Sequence, residues 1–266
     1  MDFFQHKRVW ITGASSGIGE ALAMAFAARH AKLVLSARNE QALQKVAAAC
    51  REAGASEVLI RTLDLEQYQT IAGIAEQTIR QVGKIDILIN NGGISQRSKA
   101  LDTAIDVDKK LMDVNYLGTI ALTKAVLPHM LLHELGHIVT ISSLVGIIGS
   151  PLRSSYSAAK HALHGFFDSL RAELGDSPVQ ITLICPGFIR TDVSKNALTG
   201  NGAPLGTMDD ATGKGMMPEE LAQQVLRAIE KGKEEVYIGG KEIIAIYFKR
   251  FLPGMFSKFI KKAKVT

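Results

Sequence analysis

The chain has 266 residues, 47% hydrophobic and 21% charged, which is enough apolar content for a large core in one α/β domain. Two cysteines, Cys50 and Cys185, are too few for a disulfide framework and point to a reducing, cytoplasmic compartment. The net charge of +5 is concentrated at the end: from residue 241 onward there are seven bases and one acid, so the body is nearly neutral, which argues against a nucleic-acid groove.

The start, MDFFQHKRVW, carries no apolar signal region, and no apolar run is long enough to span a bilayer. Val9 to Thr12 reads as a β-branched strand, followed by a tight turn with Gly13, Gly17 and Gly19 and a helix from Gly17 toward Arg29. Strand, glycine turn and helix make a phosphate-binding arrangement: the glycines let the backbone approach a pyrophosphate, and the free N–H groups of the helix start favour an anion. Ser15 and Ser16 add hydroxyl donors. The spacing GxxxGxG departs from GxGxxG, and no GK[ST] follows, which argues against a nucleoside-triphosphatase loop.

Residues 32–37 form a second expected strand and 39–54 a helix; 57–64 is a third strand, followed by a helix up to Gly83, and 85–91 is a fourth strand. A long helix, broadly Val107 to Leu135, leads to a fifth strand over 136–143. A further helix carries Tyr156 and Lys160 to about Leu174, 179–186 is a sixth strand, and 217–232 and 235–240 supply a last helix and strand. This alternation implies a Rossmann-like doubly wound parallel sheet of about seven strands with helices on both faces. Residues 1–244 read as a single dinucleotide-binding and catalytic domain, with a substrate loop at about 192–217 that is loop-like and mobile over about 197–217, and a basic, apolar tail at 245–266.

Tyr156 and Lys160 are four residues apart, which stacks a phenol and an ammonium on one helix face. A neighbouring cation favours the phenolate, so the pair is expected to bring the phenol toward neutral pH. At the end of the second strand the position that a carboxylate would occupy to select NAD is Ala37, and Arg38 follows; its planar donor fork suits a 2′-phosphate, so NADP is expected.

TGASSGIG at 12–19, NNGG at 90–93, Ser143 thirteen residues before Tyr156, Asn115 in DVNYLG, and CPGFIRT at 185–191 together resemble the single-domain branch of the short-chain dehydrogenase/reductase family over most of the chain. One departure is Gly92, where the family usually has Ala; no functional group is lost. The resemblance implies a carbonyl and alcohol interconversion with NADPH, in which Tyr156 passes the proton and Ser143 donates to the same substrate oxygen. On the same resemblance Lys160 is expected to lower the Tyr156 pKa and to hold the nicotinamide ribose, and Asn115 to order a water that resupplies the proton. It also implies that Gly13, Ser15, Ser16, Gly17, Ile18 and Gly19 cradle the nucleotide. Asp64, Leu65, Asn91, Gly92 and Gly93 line its adenosine half, and Pro186, Gly187, Ile189 and Thr191 cover the nicotinamide. A homodimer or homotetramer formed through the long helices is expected on the same ground.

A non-catalytic nucleotide-sensing regulator is the alternative, although sensing alone does not need the proton-transfer set. His133 to His137 matches HExxH, but Gly136 stops the helix and His137 starts a strand, so no metal site is expected. Cys185, His161 and His164 read as packing or surface residues. Leu198, Leu205, Met208, Met216 and Met217 in the substrate segment hint at an apolar small-molecule ligand. The tail mixes bulky apolar groups with lysines around Pro253-Gly254, which fits either packing against the body or weak contact with a membrane surface.

Overall fold

In β1 (Arg8–Thr12) the side chains alternate: Val9 and Ile11 enter one buried cluster, and Trp10 enters another on the opposite face. The computed structural model describes residues 2–261. In chain order α1 (Gly17–Ala27), β2 (Lys32–Ala37), α2 (Glu40–Glu52), β3 (Glu57–Thr62), α3 (Ile71–Val82) and β4 (Ile87–Asn90) follow. Next come α4 (Ile105–Met112), α5 (Gly118–Leu132), β5 (Gly136–Ile141), α6 (Ser154–Leu174) and β6 (Val179–Pro186). The order ends with α7 (Asp210–Gly213), α8 (Pro218–Glu230), β7 (Glu235–Ile238), α9 (Ile244–Phe251) and α10 (Pro253–Ile260).

The seven strands are all parallel, in the order β3-β2-β1-β4-β5-β6-β7. Burial on both faces explains their nearly continuous apolar sequences. One face is covered by Leu22 and Phe26 of α1, Leu43 of α2 and Leu221, Val225 and Ile229 of α8; the other by Ile71 of α3, Leu122 and Val126 of α5 and Leu163 and Phe167 of α6. The strand order reverses between β1 and β4, so a crevice opens beyond their carboxyl ends, where ligands bind in such sheets.

Two expected elements differ. The single helix expected over 107–135 is two helices, α4 and α5, joined by a π-helical turn at Asp113–Leu117. The turn is where Asn115 leaves the regular ladder, and its side chain is held by the neighbouring loop at Ile94. The tail forms α9 and α10, with Leu252 out of helical geometry between them and Pro253 in the first turn of α10, where a missing N–H costs nothing. Among the described residues no helix is long and apolar enough to cross a membrane.

Candidate active site

Two clefts of about 570 and 590 Å³ meet at Ile18, Asn91, Gly93, Ile94 and Thr191. The larger is lined by Gly13, Ser15, Ser16, Gly17, Ile18, Arg38, Asp64, Leu65, Asn91, Gly92, Gly93 and Thr191, all residues that sequence reasoning assigned to a nucleotide.

This cleft fits a dinucleotide on its own geometry. Gly13 has a φ of +64°, open to glycine and strained for other residues, and a Cβ on Gly19 would lie 2.1 Å from the Gly13 carbonyl oxygen. Ser16, at the N-cap of α1, makes no side-chain cap, so the first-turn N–H groups are left to an anion. Asn91 ties the turn to β4: its Nδ2 donates to the Thr12 carbonyl at 2.9 Å and to that of Gly13 at 3.3 Å. Arg38 is exposed at the far wall, one residue past the end of β2. Gly92 does not need glycine's freedom, since its φ is not in the left-handed region; a Cβ there would meet the end of the flexible Leu65 side chain at 2.6 Å.

The second cleft collects Ser143, Tyr156, Lys160, Pro186, Gly187 and Ile189. Ser143 lies two residues past the end of β5 and starts a 3₁₀ turn, its hydroxyl accepting from the Val145 N–H at 3.3 Å and donating to the Pro186 carbonyl at 3.4 Å. Tyr156 and Lys160 lie one turn apart on α6, with the Lys160 ammonium 5.9 Å from the center of the phenol ring. Lys160 Nζ donates to the Ile141 carbonyl at 2.7 Å. Asn115 stands just behind and outside both clefts: its Oδ1 accepts from the Ile94 N–H at 2.8 Å and its Nδ2 donates to the Ile94 carbonyl at 2.9 Å. It therefore fixes the Gly93-Ile94 backbone beside Lys160, the point where the two clefts join.

Residues 7–201 match the short chain dehydrogenase family. The chain belongs to the short-chain dehydrogenase/reductase family. It is 43% identical over 264 residues to dehydrogenase/reductase SDR family member 7B of Bos taurus, covering 97% of this chain and 81% of that protein. It is 46% identical over 261 residues to dehydrogenase/reductase SDR family protein 7-like of Anopheles gambiae, covering 96% and 82%. A short-chain dehydrogenase/reductase from Burkholderia phymatum in complex with NAD shares the fold, with a TM-score of 0.85, 23% identity and 96% of each chain covered. Levodione reductase aligns with a TM-score of 0.79 at 28% identity, covering 90% of this chain and 98% of that one.

This short-chain dehydrogenase/reductase surrounds its tyrosine with groups that sequence reasoning did not single out. Gln96, fully buried, accepts from the N–H groups of Ser155 at 2.9 Å and Tyr156 at 3.3 Å through its Oε1 and so holds the start of α6. Arg97 and Arg153 line the cleft, and both are buried. Arg97 donates through Nε and Nη2 to Asp209 Oδ2 at 2.9 and 2.6 Å, and Arg153 Nη2 lies 3.8 Å from the same oxygen. The signal in the sequence was slight: Arg153 sits three residues before Tyr156, and Asp209 lies in a segment that read as a mobile loop.

The electrostatics correct one expectation. Burial pushes the Tyr156 phenol above its ordinary value, outweighing Arg153, Arg97 and the Ser143 hydroxyl, which all favour the phenolate. The cations acting on the phenol are thus the two arginines, and the net direction is up. Burial pulls Lys160 down to about 8, opposed by Cys185. Cys185 is itself fully buried and its thiol is pushed up, as a packing residue's would be. His164 does more than pack: its Nε2 lies 2.9 Å from Ser142 Oγ and its Nδ1 4.0 Å from Glu235 Oε2.

The substrate segment is also tied down. Asp209 anchors it, the Leu198 N–H donates to the Ser95 carbonyl at 2.8 Å, and Ile189 bridges to Met216. As a result Leu205, Met208, Met216 and Met217 are absent from the walls of both clefts, and Leu198 faces the nucleotide side. The apolar walls beside Tyr156 come instead from Leu144, Val145, Ile148, Phe188 and Val193, and from Phe248 and Phe259 of the tail. His133 ends α5, Glu134 has a φ of +49°, and His137 lies buried in β5 with Nε2 2.7 Å from Thr182 Oγ1, so the HExxH histidines share no helical face.

Proposed function

We propose that this chain is an NADP(H)-dependent oxidoreductase that interconverts an apolar carbonyl and a secondary alcohol, with Tyr156 as general acid and base. One observation carries the reading: Ser143, Tyr156 and Lys160 face one apolar cleft that joins a glycine-lined, anion-accepting cleft at Gly93-Ile94. Gly13, Ser15, Ser16, Gly17, Ile18 and Gly19 would hold the pyrophosphate, Arg38 the 2′-phosphate, and Asp64, Leu65 and Asn91 to Gly93 the adenosine. Pro186, Gly187, Ile189 and Thr191 would cover the nicotinamide, which when bound supplies the hydride to the carbonyl carbon.

Tyr156 gives its phenolic proton to the carbonyl oxygen. A phenol raised by burial is fully protonated at neutral pH, which suits it to the reduction direction. Ser143 donates to the same oxygen and shares its developing charge. Lys160 has one N–H engaged by Ile141, leaving two donors for the ribose. With a pKa of about 8 it can return a proton to the phenolate, and Asn115 orders the water that connects it to solvent.

The aligned alcohol dehydrogenase from Thermococcus sibiricus, 26% identical with a TM-score of 0.75 over 89% of this chain and 97% of that one, was solved with 5-hydroxy-NADP. Its cofactor supports the reading, alongside Arg38. The protein is expected to act in the cytoplasm, where Cys50 and Cys185 remain free thiols, and to assemble as a homodimer or homotetramer through α4, α5 and α6. Light scattering on the purified chain checks the assembly.

The test of function is a panel of apolar carbonyls followed by NADPH and NADH absorbance. Turnover with NADPH preferred is expected. Tight nucleotide binding with no turnover across the panel would favour the nucleotide-sensing regulator.

A further inference from the structure

The tail is the roof of the substrate cleft. Ile246 and Phe256 are buried, and Phe248, Phe259 and Ile260 line the cleft. The three phenylalanines pack together, Phe248 lying 5.8 Å from both Phe256 and Phe259. Lys249 Nζ donates to the Ile147 carbonyl at 2.7 Å, fastening α9 to the turn after Ser143. The same two helices carry exposed apolar groups beside the cleft: Ile244, which itself lines it, and Tyr247, Phe251, Leu252 and Met255, with Phe251 75% exposed. Arg250, Lys258 and Lys261 are exposed among them.

We propose that α9 and α10 dock on an anionic phospholipid surface and that the cleft receives its carbonyl from that surface, as a bilayer-partitioned apolar molecule. The substrate part rests on the reading that carbonyl reduction occurs in this cleft. Charge selects the occupant. Residues 244–266 contain six Lys or Arg and no Asp or Glu, so a second copy meeting this face across a two-fold axis would set like charges against each other. A surface of anionic headgroups over acyl chains matches both the cations and the bulky apolar groups. Docking places the cleft's tail-lined wall against the phase in which an apolar carbonyl concentrates.

The test is flotation of the full chain with phosphatidylcholine vesicles, with and without phosphatidylglycerol. It is run for the wild type and for two variants outside the cleft walls, Arg250→Glu/Lys258→Glu/Lys261→Glu and Phe251→Ser/Leu252→Ser/Met255→Ser. The wild type is expected to float with the anionic vesicles and to be released by high salt. Each cation is worth about fivefold in partitioning, so the charge variant is expected to bind at least on the order of a hundredfold more weakly. Both variants are expected to reduce a water-soluble ketone with NADPH at the wild-type rate, which also shows them folded, and to lose turnover of a long-chain ketone dissolved in vesicles. No flotation on anionic vesicles, or flotation indifferent to both variants, would overturn the docking. A change of oligomeric mass in the variants without vesicle binding would overturn it too, by assigning the face to a second copy. Flotation that depends on these residues while neither ketone is reduced would uphold the docking and remove the reductase reading alone.

Discussion

At the scale of single residues the phenol of Tyr156 is pulled two ways, upward by burial and downward by Arg153, Arg97 and Ser143. Removing a cation leaves burial less opposed, so Arg153→Met raises the phenol further. The pH profile of alcohol oxidation, which needs the phenolate, is then expected to move to higher pH, with carbonyl reduction at neutral pH retained; an unmoved profile would show that Arg153 does not tune the phenol. Arg38→Asp, which places a carboxylate near the 2′-phosphate site, is expected to weaken NADPH by roughly ten- to a hundredfold relative to NADH, read as a ratio of kcat/KM. The Tyr156 and Lys160 pair, Ser143 and the glycine turn were legible because each sits at a fixed spacing on one element. Arg97, Arg153 and Asp209 were not, because three separate segments meet only after the sheet forms.

At the scale of elements, the segment from about 197 to 217 read as mobile from its glycines and polar residues, yet a buried ion pair holds it. Arg97 and Asp209 have side chains 5% and 3% exposed, and removing one partner of such a pair typically costs about 3–5 kcal/mol. Asp209→Ala is therefore expected to loosen the segment, with a raised KM for carbonyl and faster limited proteolysis within it; unchanged proteolysis would contradict the anchoring. The helix expected over 107–135 shows the limit of periodicity in another way. One extra residue in the turn at Asp113–Leu117 leaves the apolar pattern nearly intact while turning Asn115 toward Ile94, and only the partner loop reveals it. The split at Pro253, by contrast, follows from proline chemistry and was read directly.

At the scale of the molecule, the alternation of apolar strands and amphipathic helices was enough to give seven parallel strands covered on both faces, since each such strand must be buried on both sides. What weakens that sheet at low pH includes His137 in β5. Burial, with Lys7 adding to it, lowers the ring from 6.5 to about 4, so below pH 6.5 the unfolded chain takes a proton that the folded ring refuses. Stability is then lost as pH falls from about 6.5 to about 4, by roughly 3 kcal/mol from this group. His137→Asn is expected to flatten that part of the unfolding profile in urea; an equally steep profile would contradict it.

Carbonyl reduction in this cleft depends on Tyr156 giving its proton to the substrate oxygen while the nucleotide is bound next to it. Single-turnover oxidation of NADPH by a reducible apolar ketone, at saturating nucleotide, compares the wild type with Tyr156→Phe. The phenol's proton transfer is worth about 10² to 10⁴ in rate, so the variant is expected to slow by that factor with an unchanged Kd for NADPH. Equal single-turnover rates in the two proteins would contradict it.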